Sequence, residues 1–306
     1  MLIEESTLRS LLRLAESAMV ECEEEPGPSR AERIIVRGPE GGEDAYIVRR
    51  DADGERAMNH AAVVEALANA GFAAMPRVVA IAGDATIEEA FPGLPLLSIR
   101  PDQSTLEAAV DALAALHQLP VSEGSDFEKT PEELLPEEEP PLHRLGFAAQ
   151  EREPALEPFR SAHRSLLKTP FGFAHRNLTA ANVLAGAPGV AFVNFGHAGF
   201  GAQLFDVVAL LSTAGLSPEQ RRSLAQRYAL RTGGDPDAIA DMADLAAIAW
   251  GVERELGLPR RQIEALGDEV AMERLVLEST RIQQALAEPA GEHPLATQIR
   301  RALWPR

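Results

Sequence analysis

The residues that could take part in chemistry are concentrated between positions 171 and 208. Short apolar runs in this segment are separated by polar side chains, and the reactive types among them are His175, Asn177, Asn182, Asn194 and Asp206. A carboxamide oxygen can face a cation, but it accepts no proton at neutral pH and brings no negative charge to a hard ion such as Mg²⁺. No G-x-S-x-G, H-E-x-x-H or G-x-x-x-x-G-K-[ST] motif occurs in the chain. The chemistry of this segment therefore depends on what the side chains of Asn177, Asn182 and Asn194 can bind.

The spacing of this segment resembles the aminoglycoside phosphotransferase and choline kinase family. The active-site loop of that family reads H-G-D-x-x-x-x-N, and its metal loop reads I-D-[FW]-E-x-A-G-x-G before a helix that carries D-[LV]-A. The positions that match are His175 and Asn182 in the first pattern and Ala198, Gly199, Gly201 and Asp206 in the second. The resemblance implies a protein-kinase-like fold and ATP-dependent phosphoryl transfer.

Both catalytic aspartates of the family are asparagines in this chain. In the family the first aspartate orients and deprotonates the substrate hydroxyl, and the second holds Mg²⁺ against the nucleotide phosphates. Asn177 stands at the base position, where the loss of base assistance is expected to cost roughly 10²–10⁴-fold in rate. Asn182 and Asn194 form a neutral pair, so Mg²⁺ is expected to bind weakly or not at all. Asn177 and Asn194 could also simply stabilise their loops.

The resemblance also implies nucleotide-binding residues in the N-terminal part of the chain. Arg49 corresponds to the basic residue on the third strand, and a guanidinium can grip a phosphate with two hydrogen bonds. The glutamate that usually pairs with this residue falls at His60, with Glu65 or Glu55 as possible substitutes. Glu89 resembles the acidic residue that opens the hinge beside adenine. ATP is therefore the cofactor that the resemblance suggests.

Two further residues of the motifs are expected to support the loops rather than to touch a ligand. His175 is expected to pack under the active-site loop, and Asp206 to accept hydrogen bonds from its backbone. Two asparagines are also what substitution of the aspartates to trap a substrate would produce. Arg176 at the glycine position of the loop, together with His60, indicates that the divergence is wider than that.

Composition limits the class of protein. With 306 residues and 45% hydrophobic content, the chain can bury a sizeable core. The net charge of −18 disfavours nucleic acid and anionic lipid as partners, and it suits a cationic small molecule, a protein partner or solubility alone. We expect a cytoplasmic location, because no apolar stretch reaches 18 residues and Glu4 and Glu5 replace the positive start of a signal peptide. The single Cys22 excludes an internal disulfide and a cysteine zinc site.

The periodicity of apolar residues predicts the elements that must position these groups. A first helix is predicted from residue 7 to 19, closed by an acidic turn at 21–28. Strands at 33–36 and 45–49 form a predicted hairpin, followed by a helix ending near 71 and strands at 77–82 and 86–91. Helices are predicted at 105–117, 202–214, 218–230, 236–256, 260–286 and 294–304.

These elements predict an α+β fold with a small antiparallel β-sheet lobe and a larger, mainly helical lobe, and the family resemblance implies that this is the bilobal protein-kinase-like fold. The small lobe, with its leading helix, is assigned to residues 1–91 and the large lobe to 92–306, after a Pro/Gly-rich break. The large lobe contains an acidic stretch at 121–142, which is expected to be a solvated loop or, alternatively, an acidic contact surface.

Three hypotheses for function follow. The first is a pseudokinase that keeps the fold and a ligand-binding or regulatory role. The second is a divergent, active ATP-dependent small-molecule phosphotransferase that holds its metal with other carboxylates, such as Asp206, Glu88 or Glu89. The third is an interaction scaffold that uses the acidic stretch. They differ in what they predict for ATP and magnesium.

Overall fold

The N-terminal part of the chain is a five-stranded antiparallel sheet with two helices. The computed structural model describes residues 2–25, 30–38, 41–50, 54–120, 149–257 and 269–304. The sheet has the order β1-β2-β3-β5-β4 and consists of β1 (Met19–Glu25), β2 (Arg30–Arg37), β3 (Glu43–Arg50), β4 (Val78–Ala82) and β5 (Ala85–Glu89). Helix α1 (Glu5–Leu11) precedes the sheet, and α2 (Gly54–Asn69) connects β3 to β4. The predicted hairpin, the following helix and the last two strands are confirmed.

The predicted first helix is wrong beyond its first turns. Helix α1 ends at Leu11, Arg13 adopts a left-handed conformation with φ of 53°, and β1 begins at Met19. The apolar spacing from residue 7 to 19 places Met19 on a helix face, but its side chain is 59% exposed on the edge strand. The acidic residues that follow lie on this edge, where Glu21 forms an ion pair with Arg37 of β2. Charged side chains on an edge strand oppose pairing with other chains.

Five short strands form the centre of the molecule between the sheet and the helices. They are β6 (Gly93–Pro95), β7 (Phe171–Ala174), β8 (Val183–Gly186), β9 (Gly189–Phe192) and β10 (Gly199–Ala202). Strands β6, β8 and β9 form one sheet, and β7 pairs with β10. The connection from β5 to β6 presses against β8 so closely that a Cβ atom on Gly186 would lie 2.0 Å from Pro92 O. Glycine is therefore required where the N-terminal sheet joins the rest of the chain.

The C-terminal part of the chain is mainly helical. Its described helices are α3 (Gln103–His117), α4 (Ala149–Leu166), α5 (Gln203–Thr213), α6 (Pro218–Thr232), α7 (Pro236–Gly257), α8 (Glu269–Ala287) and α9 (Pro294–Leu303). Six of them match predicted helices, although the first part of the predicted 260–286 segment and the acidic 121–142 stretch lie outside the described residues. Helix α4 was not predicted, and it contains Pro154 and Pro158. No described helix is long and apolar enough to cross a membrane.

Local capping explains where several helices begin and end. Asp102 precedes α3 and accepts a hydrogen bond from Thr105 N at 2.8 Å. Ser217 and Gln220 form a reciprocal capping box at the start of α6, and Gly233 ends that helix with φ of 78°. Such caps satisfy backbone groups that have no partner inside the helix.

Two hydrophobic clusters hold these layers together. The smaller packs α1 against the N-terminal sheet and includes Leu8, Ile34 and Ile87. The larger runs through the helices and the central strands, and it also contains Val64 and Leu67 of α2. Helix α2 is therefore packed on the same core as the loops that carry the candidate site.

Candidate functional site

Two loops at the ends of the central strands form the candidate site. The active-site loop (residues 175–182) connects β7 to β8, and the metal loop (residues 193–198) connects β9 to β10. The antiparallel register of β7 and β10 places Ala174 opposite Gly199, so both loops leave the same end of this strand pair. The structure thereby brings together Asn177, Asn182 and Asn194, as the sequence motifs require.

Asp206 fixes the start of the active-site loop from beneath. It lies in the first turn of α5 and is 1% exposed. Its Oδ2 accepts a hydrogen bond from His175 N at 2.6 Å, and its Oδ1 accepts one from Arg176 N at 2.8 Å. Arg176, at the family's glycine position, adopts a left-handed φ of 62°. Two charge-assisted bonds to the backbone stabilise this strained turn.

His175 is a buried part of the loop and cannot reach a ligand. It is fully buried, its Nε2–H donates to Val193 O at 3.0 Å, and its ring centroid lies 4.6 Å from that of Phe195. Burial lowers the pKa of His175 to about 4, although the Asp206 carboxylate opposes that shift. The neutral ring ties the active-site loop to the metal loop.

A histidine and a tyrosine that sequence analysis did not single out complete this support. His117 of α3 lies with Nε2 3.2 Å from Asp206 Oδ2 and with Nδ1 2.8 Å from the Tyr228 hydroxyl of α6. An ionised carboxylate only accepts, so Nε2 carries a proton, and in the neutral ring Nδ1 accepts from the Tyr228 hydroxyl. Burial raises the pKa of Tyr228, and the Asp206 charge adds to the effect, so the hydroxyl stays a donor. These residues are far apart in the chain, and no local pattern marks them.

Asn177, at the base position, is bound by a guanidinium. Its Oδ1 accepts a hydrogen bond from Arg254 Nη1 at 3.3 Å, and Arg254 Nη2 donates to Glu278 at 2.9 Å. Arginine has no acceptor, so the atom of Asn177 that faces it must be the oxygen. The Asn177 backbone oxygen accepts from Asn182 Nδ2 at 2.7 Å. Arg254 was not foreseen, because it comes from α7, 77 residues away.

Asn182 and Asn194 bond to each other where the family places a metal ion. Asn182 Nδ2 is committed to the Asn177 carbonyl, so Asn182 must present Oδ1 to its neighbour. Asn194 accordingly donates from Nδ2 to that oxygen at 3.4 Å. Asn194 is held in a left-handed conformation with φ of 70°. An N–H group of Asn194 therefore lies between the two side chains.

These residues do not fit a magnesium ion. Mg²⁺ requires oxygen ligands, usually carboxylates, and Asn182 Oδ1 is already engaged by an amide hydrogen. Asp206 is buried beneath the loop, where its oxygens accept two backbone hydrogen bonds and one of them also contacts His117 Nε2, so it serves the loop. Within the described ranges no three histidine, cysteine, aspartate or glutamate side chains are grouped so as to hold a metal.

Arg49 has a carboxylate partner on a neighbouring strand. Arg49 Nε lies 3.6 Å from Glu88 Oε1 of β5, and His60 Nε2 of α2 lies 3.1 Å from the same oxygen. Burial alone would raise the pKa of Glu88, but the contacts with His60 and Arg49 lower it below its ordinary value. Glu65, suggested as a partner, is exposed. A buried strand residue therefore supplies a carboxylate beside Arg49.

Glu89, the other nucleotide-binding candidate, lies outside the cluster of Arg49, His60 and Glu88. Glu89 points away from Glu88 on the strand, and it forms an ion pair with Arg77 in which both side chains are about half exposed or more. Glu88 itself is occupied by Arg49 and His60, so neither acid is placed to hold a metal. The side chain of Glu55 lies outside the described residues.

Helix α2 holds the metal loop from the other side. His60 Nδ1 accepts a hydrogen bond from Phe195 N at 3.0 Å. Asn59 Nδ2 donates to Gly196 O and to Ala198 O, both at 3.1 Å. His60 therefore contacts both Phe195, the residue after Asn194, and Glu88. Since Glu88 also lies beside Arg49, these contacts link the metal loop to Arg49.

Comparison with solved structures identifies the fold. Similar chains include an ethanolamine kinase from Plasmodium vivax, with a TM-score of 0.58, 12% identity and coverage of 91% of this chain and 85% of that one. A choline/ethanolamine kinase family protein from Mesorhizobium loti has a TM-score of 0.54 and 17% identity, covering 97% and 98%. The choline kinase LicA from Streptococcus pneumoniae has a TM-score of 0.54 and 16% identity, covering 92% and 97%. The expected protein-kinase-like fold, with an antiparallel sheet lobe and a helical lobe, is confirmed.

Comparison with protein families extends this result to the sequence. No curated protein matches the chain. The model of the phosphotransferase enzyme family matches residues 29–245, a segment that includes Arg49, both loops and Asp206. Because the match covers well over half of the sequence, the chain belongs to the phosphotransferase enzyme family.

Proposed function

We propose that this protein is a pseudokinase, which keeps the phosphotransferase fold as a ligand-binding or regulatory module without magnesium-dependent phosphoryl transfer. The observation that carries the proposal is the hydrogen bond from Asn194 Nδ2 to Asn182 Oδ1. In a working site of this family these two positions share a metal ion. Here a neutral donor and a neutral acceptor satisfy each other.

The base position supports the same conclusion. Asn177 accepts no proton, and its oxygen already receives a hydrogen bond from Arg254. A substrate hydroxyl placed against Asn177 therefore finds no proton acceptor in that side chain, and the loss of base assistance is expected to lower the rate by roughly 10²–10⁴-fold. The loss of the metal is the larger effect, because phosphoryl transfer depends mostly on positioning and charge neutralisation.

Nucleotide binding is the part of the ancestral function that the site retains in this proposal. Two similar structures are LicA in complex with AMP and a ternary complex of streptomycin, ATP and APH(2")-IIa. In this chain Arg49 keeps a positive charge, and its side chain is 23% exposed. Replacing two carboxylates by amides also removes two negative charges that would repel phosphates in the absence of metal. We therefore propose that ATP binds here without magnesium.

Thermal unfolding with ATP, in the presence of either Mg²⁺ or EDTA, tests the proposal. A ligand that binds only the native state stabilises it by RT ln(1 + [L]/Kd), which is about 2.7 kcal/mol at a hundredfold excess over Kd. We expect an equal upward shift of Tm in both buffers and no ADP release above background. Stabilisation that depends on Mg²⁺ and comes with turnover would support the divergent active kinase instead. The absence of any shift would favour an interaction scaffold.

A further inference from the structure

The base position of the candidate site has changed from an acceptor to a donor of hydrogen bonds. Because Arg254 fixes Asn177 Oδ1, the two N–H groups of Asn177 Nδ2 point elsewhere. Nδ2 makes no hydrogen bond to any other described residue and is not among the buried, unpartnered atoms. A kinase presents two carboxylate oxygens at this position, and this chain presents N–H groups.

Arg254 adds unused donors to the same place. Its guanidinium carries five N–H groups. The contacts with Asn177 and Glu278 use one N–H group of Nη1 and one of Nη2, so each of these two nitrogens keeps a second N–H group. Nε is buried and is not among the donors open to a ligand. The side chain as a whole is 22% exposed. Glu278 anchors Nη2, which leaves Nη1 on the side of Asn177.

The place of these donors in the fold indicates their ligand. In a kinase the base lies within hydrogen-bond reach of the substrate oxygen, and that oxygen becomes the ester oxygen of the phosphorylated product. Donors at this position suit the oxygens of a phosphate ester and leave a free hydroxyl without its acceptor. Guanidinium and amide N–H groups are common partners of phosphate oxygens.

We propose that Asn177 and Arg254 form a binding site for a phosphomonoester, so that the cleft recognises the phosphorylated form of a small alcohol rather than the alcohol itself. The inference rests on the proposed loss of phosphoryl transfer, and it names the ligand class of the same site. The net charge of −18 is compatible with a cationic ligand, but it is a property of the whole chain. The N–H groups of Asn177 and Arg254 lie in the cleft itself, and they favour an anion there.

Isothermal titration calorimetry in EDTA, without nucleotide, tests this site. The probes are phosphoethanolamine, inorganic phosphate and ethanolamine. We expect phosphoethanolamine to bind at least tenfold more tightly than ethanolamine, with inorganic phosphate intermediate. Because nucleotide and metal are absent, this result does not depend on whether the protein turns over ATP. Tighter binding of ethanolamine, or no saturable binding of either phosphate probe, would overturn the inference.

Three variants locate the bound anion. Arg254→Gln and the isosteric Asn177→Asp are each expected to weaken phosphoethanolamine binding by roughly 10- to 100-fold, the usual effect of losing a hydrogen bond to a charged group. Arg222→Gln removes the same charge at a surface ion pair with Asp237 and Asp241, and it is expected to bind like the wild type. The inference also fails if Arg49→Gln abolishes binding while Arg254→Gln and Asn177→Asp leave it intact, since the anion then occupies the nucleotide side.

Discussion

His60 Nε2 lies 3.1 Å from Glu88 Oε1, and both side chains are buried. Since His60 Nδ1 accepts a hydrogen bond from Phe195 N, this ring must be the neutral tautomer with its proton on Nε2, facing the carboxylate. The same carboxylate lies 3.6 Å from Arg49 Nε. Glu88 therefore joins the phosphate-binding candidate of the sheet to the metal loop.

Replacing Glu88 by glutamine is expected to lower the free energy of unfolding at pH 7 by about 1–3 kcal/mol, because a buried charge partner of Arg49 is lost. The folded-state pKa of Glu88 is lowered, so its contribution is present above the unfolded value near 4.3 and is lost as the pH falls through the folded value. The difference between wild type and variant should therefore shrink below about pH 4. Urea unfolding at several pH values measures it.

Glu89→Gln is the matched control, because Glu89 is the next residue and its ion pair with Arg77 is exposed. Its effect is expected to stay within about 0.5 kcal/mol. Equal effects of the two substitutions would contradict the role assigned to Glu88.

A second prediction concerns His175 and the stability of the protein in mild acid. Its folded-state pKa is about 4, against about 6.5 in the unfolded chain. The unfolded state therefore binds a proton first, and the contribution of His175 to stability is complete above pH 6.5 and falls as the pH drops from 6.5 to 4. His175→Gln should flatten the wild-type decline in this window, whereas the same substitution of exposed His197 should leave the slope in place. An unchanged slope in His175→Gln would mean that this ring is not the titrating group.

The fold could be predicted from the sequence because its main signals are local. Apolar periodicity and turn residues gave the hairpin of β2 and β3 and six of the C-terminal helices. The errors have equally local causes: apolar residues up to Met19 imitate a helix face, but Arg13 ends the helix and Met19 is exposed. Helix α4 was missed because Pro154 and Pro158 interrupt the usual pattern.

The candidate site could be predicted only as far as its motifs reach. Asn177, Asn182 and Asn194, which the motif spacing singles out, lie together in the structure because neighbouring strands fix the two loops. Arg254 and His117 could not be found this way, because they approach from helices that are distant in sequence. The side-chain oxygen of Asn177 is bound by Arg254, whereas Asn182 and Asn194 bond within the two loops.

Tyr228 offers a test of the buried support behind the active-site loop. Tyr228→Phe removes the hydroxyl that donates to His117 Nδ1 at 2.8 Å and leaves a buried acceptor without a partner. This loss is expected to cost about 1–3 kcal/mol of unfolding free energy. The only other tyrosine of the chain, Tyr46, is half-buried, and Tyr46→Phe should change stability by less than about 0.5 kcal/mol. Chemical denaturation of both variants measures the difference, and a smaller loss for Tyr228→Phe than for Tyr46→Phe would exclude the proposed support.

The last prediction reverses the substitution at the metal position. In Asn194→Asp a carboxylate oxygen replaces the amide donor and faces Asn182 Oδ1, so two acceptors meet without a hydrogen between them. Without metal we expect the variant to be about 1 kcal/mol less stable than the wild type, since a hydrogen bond becomes a repulsive contact. With Mg²⁺ and ATP the same oxygens can share the ion, so the Tm of the variant should rise with Mg²⁺ while that of the wild type does not. Asn69→Asp, an exposed position at the end of α2, adds the same charge outside the site and should show no magnesium dependence. If the Tm of Asn194→Asp is also insensitive to Mg²⁺, the missing carboxylate is not the reason why the metal does not bind. The contact between Asn182 and Asn194 would then no longer support the proposed function.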